Sequence, residues 1–264
     1  MTRIKWLVST LITTYNAENF LKDTLNSVLN QTYKNQEILI WDDWSSDRTI
    51  DLLKKYKKLD SRINFWISKE EWKKWWFWYW WLNFLLDKSK WEFVAIQDHD
   101  DIWHPNKLEK QVEFLINNNK YKWCSTRHTS YYYNEKIFIE WKIRDWFFHT
   151  TLIFRYSDYY RYDLTKEEAD VYLMKNTIKD IFILDYNFVL WRRFWKNNLS
   201  YNRWYGNMNF KKLVLIKCSE LLNYNVKILF LYTKIKNFFW IKNYIWYTKN
   251  QFIKKNPGYK KYIK

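Results

Sequence analysis

The stretch "EFVAIQDHDDIWHP" (Glu92–Pro105) sets a short apolar run directly against Asp98, His99, Asp100 and Asp101. A run of this length with turn-forming residues after it reads as a buried strand ending in an acidic loop. The pattern occurs once before. "QEILIWDDWSSD" (Gln36–Asp47) is another short apolar strand that stops at a pair of Asp residues.

Outward from these two stretches, strand and helix alternate. "IKWLVSTLITTYN" (Ile4–Asn16) is β-rich and ends in polar residues. The next segment puts Phe20, Leu21, Leu25, Val28 and Leu29 on one helical face. Ser45, Ser46 and Asp47 are N-cap candidates for the helix "RTIDLLKKYKK". "RINFWIS" is a third strand, "LNFLLDKSK" a helix, and "EFVAIQ" the fourth strand. Apolar strands joined by helical crossovers predict a mainly parallel, doubly wound sheet of the α/β class. In such sheets ligands bind beyond the carboxyl ends of the strands. Those ends carry Asp42–Asp43 and Asp98–Asp101 here. Residues 121–154 are β-rich and less regular, "DIFILDYNFVLWRR" reads as a strand, and the chain beyond about residue 207 reads as basic amphipathic helices.

The two acidic clusters suit a divalent cation and a nucleotide. Asp98 and Asp100 are at alternate positions and can face one way. Mg2+ or Mn2+ held there would bridge a diphosphate. Asp43 closes the second strand and can accept a hydrogen bond from a base or a ribose. Taken singly, such clusters are more often solvated turns or helix caps.

Composition bounds the alternatives. A chain of 264 residues accommodates one large α/β domain, with or without a helical extension. The formal net charge of +17 favours anionic partners. Cys124 and Cys218 form neither a metal-ligand spacing nor a disulfide framework, which points to a reducing compartment. The first residues lack the apolar core of a signal peptide. No uncharged apolar run reaches the length of a membrane span.

The ordered motifs T-x-Y-N at Thr13–Asn16, L-x-Q-T-Y at Leu29–Tyr33, D-D-x-S-x-D at Asp42–Asp47 and D-x-D-D followed by W-x-P at Asp98–Pro105 resemble family 2 glycosyltransferases with the GT-A fold. The resemblance is strong over residues 4–117, weak over 145–193 and absent from the tail. It implies a GT-A domain over 1–205, a mainly parallel sheet flanked by helices; the basic amphipathic extension over 206–264 is read from the residues of the tail alone. The resemblance implies that Thr13 and Tyr15 contact the nucleotide base and that Asp43 holds it. Asp98 would lie near the ribose and the metal, and Asp100 would ligate Mg2+ or Mn2+. Asn83 matches an Asn of the family's third helix. "EADVYL" (Glu168–Leu173) fits the catalytic-base motif loosely, with Asp170 as the base and Ala169 where a Glu is usual. "LWRR" (Leu190–Arg193) resembles an element that carries a basic residue near the diphosphate. His99 lies within the acidic loop, and His149 precedes a strand from which it could approach the acceptor.

The implied reaction is inverting transfer from a nucleotide-sugar, a UDP-sugar, to a glycan or lipid-linked acceptor. The implied location is cytoplasmic, with the tail a candidate for peripheral contact with the inner membrane face. Nucleic acid is not an expected partner of such an enzyme. The competing reading is a non-catalytic, basic, aromatic-rich protein that binds nucleic acid or membrane.

Tryptophan and glycine usage is unusual. The chain has 20 Trp and 2 Gly, where average usage gives roughly 7% Gly. Trp44 and Trp91 stand where the family usually has Gly, whereas Trp103 is a family Trp. "WKKWWFWYWW" (Trp72–Trp81) replaces a Gly-rich loop, expected to be flexible and close to the donor. The pattern fits a gene whose UGA codons are read as Gly in the cell and were written as Trp.

Overall fold

The computed structural model describes residues 4–69, 77–132, 137–141, 149–156, 161–162, 181–193 and 244–263. Four strands lie parallel in the order β3-β2-β1-β4: β1 is Ile4–Thr14, β2 Gln36–Asp42, β3 Ile63–Ile67 and β4 Trp91–Asp98. Their crossovers are the helices α1 (Leu21–Leu29), α2 (Thr49–Leu59) and α3 (Phe77–Lys88). The strands read as continuous apolar runs because both faces of the sheet are covered. Val8, Ile12, Ile38, Ile40, Phe93 and Ala95 pack in one core with α1 and α2. Leu11, Leu39, Trp41, Val94 and Ile96, from alternating positions, pack on the other face with α3.

Beyond β4 the sheet becomes mixed. β5 (Ile102–Trp103) leads to α4 (Lys107–Asn117), then β6 (Trp123–Tyr132), β7 (Ile137–Trp141), β8 (Ile153–Arg155) and β9 (Ile181–Arg193). β8 lies antiparallel between β4 and β6, and β9 runs parallel to β6.

Two elements differ from the sequence reading. The third helix starts at Phe77, inside the Trp-rich run, and not at Leu82. Aromatic residues are ordinary helix formers, and here they pack. Trp81 stacks on Trp41 with ring centroids 3.9 Å apart and planes 12° apart. Residues 77–81 are therefore helix and not the expected open loop. Residues 70–76 lie outside the described set.

The second difference is in the tail. Tyr244–Thr248 forms β10, antiparallel to β7, where an amphipathic helix was expected. A helix does follow, α5 (Lys249–Lys255). It opens with a capping box in which Thr248 and Gln251 satisfy each other's backbone N–H groups. The proposed boundary between residues 205 and 206 lies outside the described residues. Among those described, no helix is long and apolar enough to cross a membrane.

Candidate functional site

The register of the parallel strands brings the acidic residues together. Thr13 pairs with Trp41 on one side and with Asp98 on the other, and Thr14 pairs with Asp42. The loops after β1, β2 and β4 thus leave from one edge of the sheet, at its carboxyl end. Asp43 begins the second loop, and its N–H donates to the Thr14 carbonyl at 2.9 Å. Asp43, Asp98 and Asp100 are each half-buried. Thr13 is buried and Tyr15 half-buried at the same edge.

The first two loops are bonded to each other. Asp42, fully buried, accepts from Thr14 Oγ1 at 2.8 Å, Ser45 N at 2.9 Å and Ser45 Oγ at 2.6 Å. Asn16 donates its N–H to Ser45 Oγ at 2.9 Å, and its Oδ1 accepts from Ser46 N at 2.9 Å. The Ala17 N–H donates to Thr49 Oγ1 at 2.7 Å. One Asp of the pair, Asp42, therefore builds the turn. The same turn places Trp44 at φ 62° with its side chain 46% exposed. Left-handed backbone is a natural place for Gly and an outlier for a bulky residue. Trp6, at a register shift in β1, shares this conformation with φ 63°.

The acidic loop is held from below. Thr24 Oγ1, on α1, lies 2.8 Å from the His99 carbonyl and 3.0 Å from that of Asp101. Gln97 Nε2 donates to the Asp101 carbonyl at 2.8 Å, and His99 Nδ1 lies 3.2 Å from the Thr13 carbonyl. His99 thus ties the acidic loop to the end of β1. Trp103 is fully buried, and its indole N–H donates to the Thr150 carbonyl at 2.9 Å. Lys107 Nζ sits 4.0 Å from the centre of that indole ring. Burial takes the Lys107 pKa down to about 7. Burial likewise lowers the pKa of His104.

Other candidates fall differently. Asn83 does not face the acidic edge. Its Oδ1 accepts from Tyr162 N and its Nδ2 donates to the Tyr162 carbonyl, both at 3.0 Å. His149 packs edge-on against the Tyr162 ring at 5.3 Å. Leu190 pairs with Ile102 immediately after the acidic loop, so the "LWRR" strand runs beside it. Asp170 lies outside the described residues.

Motif reading included Asp42, Ser45 and Gln31 without giving them this role and missed Thr24 and Gln97; these five residues build the loops. Gln31 Nε2 donates to the His104 carbonyl at 2.9 Å. Thr24 lies on α1 among its buried apolar residues, and a polar residue on an otherwise buried helical side was the available signal.

Among the described residues no cluster of three or more His, Cys, Asp or Glu side chains could by itself hold a metal ion. Two hard carboxylates, Asp98 and Asp100, do share one loop. That donor set fits Mg2+ or Mn2+, which are commonly held by one or two carboxylates together with substrate phosphates.

Residues 9–173 match the family model described as glycosyl transferase family 2. TuaG of Bacillus subtilis, named as a teichuronic acid biosynthesis glycosyltransferase, is 37% identical over 135 residues, covering 50% of this chain and 49% of that one. WfgD of Escherichia coli, a UDP-Glc:alpha-D-GlcNAc-diphosphoundecaprenol beta-1,3-glucosyltransferase, is 40% identical over 117 residues, 43% of each chain. The chain spans about half the length of the curated relatives it matches. Among solved structures, S. aureus TarS in complex with UDP-GlcNAc superposes with a TM-score of 0.57 at 16% identity, over 80% of this chain and 66% of that one. The mannosyltransferase PcManGT from Pyrobaculum calidifontis, in complex with GDP-Man and Mn2+, gives 0.57 at 13% identity, over 87% and 70%. At such identities the likeness shows the fold alone.

Proposed function

This chain belongs to glycosyl transferase family 2 and has the GT-A fold, and from that premise we propose that it transfers a sugar from a UDP-sugar to an acceptor hydroxyl with inversion at the anomeric carbon. The observation that carries the reading is the meeting of Asp43, Asp98 and Asp100 at the carboxyl edge of adjacent parallel strands. Family membership displaces the competing reading of a non-catalytic nucleic-acid or membrane binder.

In this reading Asp43 accepts a hydrogen bond from the uracil ring, and Thr13 and Tyr15 shape the base site. Asp98 and Asp100 face the ribose and diphosphate. Mg2+ or Mn2+, bound by these two carboxylates, would supply charge neutralisation for the departing diphosphate. Asp170 is the proposed general base. It takes the acceptor O–H proton as the acceptor oxygen bonds to the anomeric carbon, while the bond from that carbon to the diphosphate oxygen breaks and UDP leaves. The "LWRR" strand, which pairs with β5 after the acidic loop, is proposed to supply the family's basic residue near the diphosphate.

WfgD is named for a diphosphoundecaprenol acceptor, and a lipid-linked acceptor is proposed here in the same sense, in cell-surface glycan synthesis. Catalysis is assigned to residues 1–205. The basic extension over 206–264 is proposed to lie against the inner membrane face, with its end fixed to the sheet through β10.

The test is a donor screen that measures nucleotide release from UDP- and GDP-sugars. Release from a UDP-sugar, lost in Asp170→Asn, is expected. Release only from GDP-sugars would overturn the choice of donor, and full release by Asp170→Asn would remove that residue from the mechanism.

A further inference from the structure

A line of aromatic rings joins the C-terminal segment to the acidic loop. Tyr131 on β6 stacks on Phe138 on β7 at 4.4 Å, Phe138 on Phe252 of α5 at 4.3 Å, and Phe252 on Tyr259 at 5.7 Å. Tyr259 then meets His104 edge-on at 5.4 Å, and His104 stacks on Phe188 of β9 at 5.2 Å. The two rings supplied by the C-terminal segment are fully buried. Ile102, the first residue after the acidic loop, packs in the same core with Phe252, Tyr259, Tyr262 and Ile263.

Gly258 makes the closest approach. A Cβ there would lie 2.4 Å from His104 Nε2 and 3.0 Å from Pro105 Cδ. The segment is also anchored just before Gly258, where Lys255 pairs with the buried Glu140 of β7 at 2.8 Å. The His104 ring is held between Phe188 and Tyr259, and its Nδ1 accepts from Asn106 N at 3.3 Å; its backbone is fixed as well. Its N–H donates to the Phe188 carbonyl at 2.8 Å, and its carbonyl accepts from Gln31 Nε2 at 2.9 Å and Lys107 N at 3.0 Å.

We infer that Tyr244–Ile263 is a positioning element of the donor site: Gly258 and Tyr259 hold His104, and through it the turn bearing Asp98 and Asp100, in the geometry that a nucleoside diphosphate and its divalent cation require. This rests on the reading of Asp98 and Asp100 as the carboxylates of that site. A segment more than a hundred residues away in sequence thus completes a loop that the motif alone leaves open on one side. Interiors are packed too closely for a contact of this kind to be absorbed without displacement.

The experiment titrates UDP with and without MnCl2 against the full chain, Asp100→Ala, Gly258→Ala, His104→Ala and the Gly258→Ala/His104→Ala pair. The readout is the gain in UDP affinity that the metal confers. This ratio belongs to the folded molecules, so lost stability alone does not move it. Gly258→Ala is expected to cut the gain about tenfold or more, as small misplacements of site groups do, while metal-free affinity stays within about twofold. In the His104→Ala background only the looser approach to Pro105 Cδ remains, so the added methyl group should have a much smaller effect, and an undiminished effect there would overturn the role of His104.

A gain unchanged by Gly258→Ala but lost in Asp100→Ala would overturn the inference and leave the donor site standing. A gain unchanged by Asp100→Ala would overturn both. If Gly258→Ala does not fold, Tyr259→Leu takes its place: a reduced gain supports the positioning role and an unchanged gain overturns it.

Discussion

Trp44 and Trp81 carry the same side chain in opposite circumstances. Trp44 sits in the polar turn after β2 at φ 62°, 46% exposed, while the surrounding backbone is fixed by Asp42, Ser45 and Asn16. Its ring is not part of the buried core. Trp81 is helical, 5% exposed, and stacked on Trp41 in the core beneath α3. The turn would keep its hydrogen bonds with Gly at 44 and would lose its strained backbone. The start of α3 would lose its packing with Gly at 81. Local geometry thus favours Gly at the first position and an aromatic residue at the second, although the family resemblance treats both as parts of Gly-rich elements. Trp103 sets the scale for a Trp that belongs where it stands, since it is fully buried with its N–H bonded.

The largest effect that would sharpen this contrast is at Trp81. Trp81→Ala should cost about 3–5 kcal/mol, the usual range for emptying a buried aromatic site, read from urea unfolding. A cost below about 1 kcal/mol would break the contrast, because it would mean that the stack on Trp41 is dispensable. Asp42→Ala comes next. It strips three hydrogen bonds from the turn that presents Trp44, at about 3 kcal/mol. Asp42→Asn should recover part of that stability, since an amide oxygen can still accept from Ser45.

The reference position, Trp103, has its own signature in pH. Lys107, against its ring, has a pKa of about 7 in the folded protein, well below the ordinary lysine range. Between pH 7 and 9 the unfolded chain holds a proton there that the folded chain lacks. Stability from this site therefore rises with pH across that window, by up to about 1.4 kcal/mol per unit. Above pH 9 Cys124 opposes the trend, because burial raises its pKa to about 12 and only the unfolded thiol ionises. Lys107→Met should stabilise the protein most at pH 7 and below, with an advantage over the parent chain that shrinks towards pH 9. A constant advantage would show that Lys107 stays charged when folded.

The smallest effect is at Trp44. Trp44→Gly should raise stability by about 1 kcal/mol by relieving the left-handed backbone, whereas loss of stability would place the ring in a contact that matters. The gene gives an independent check. UGA at Trp44 and UGG at Trp103 are expected, and UGG at Trp44 would end the recoding explanation for that position.

Much of the parallel half was legible in the sequence. Its strands are buried on both faces, so Ile38–Trp41 and Phe93–Ile96 read as apolar runs with no ambiguity of face, and the Asp residues mark where each strand leaves the core. The acidic edge followed from those ends. What the sequence did not disclose depends on contacts without a local signature. Thr24 bonds carbonyls more than seventy residues away. β10 joins the sheet edge at β7 from about a hundred residues downstream. Gly258 is one of 2 Gly residues in the chain, and only the fold shows that His104 is the neighbour requiring it. The start of α3 was hidden by its own composition, since a Trp run read as displaced Gly argues against helix.

The most direct test of the donor site is a crystal of the full chain grown with UDP and MnCl2, with the manganese located by anomalous scattering. The expected result is a single strong peak between the Asp98 and Asp100 carboxylates and the diphosphate, with the uracil ring beside Asp43. Manganese bound elsewhere, or uracil away from the turn after β2, would contradict the assignment of this edge of the sheet as the nucleotide-sugar site.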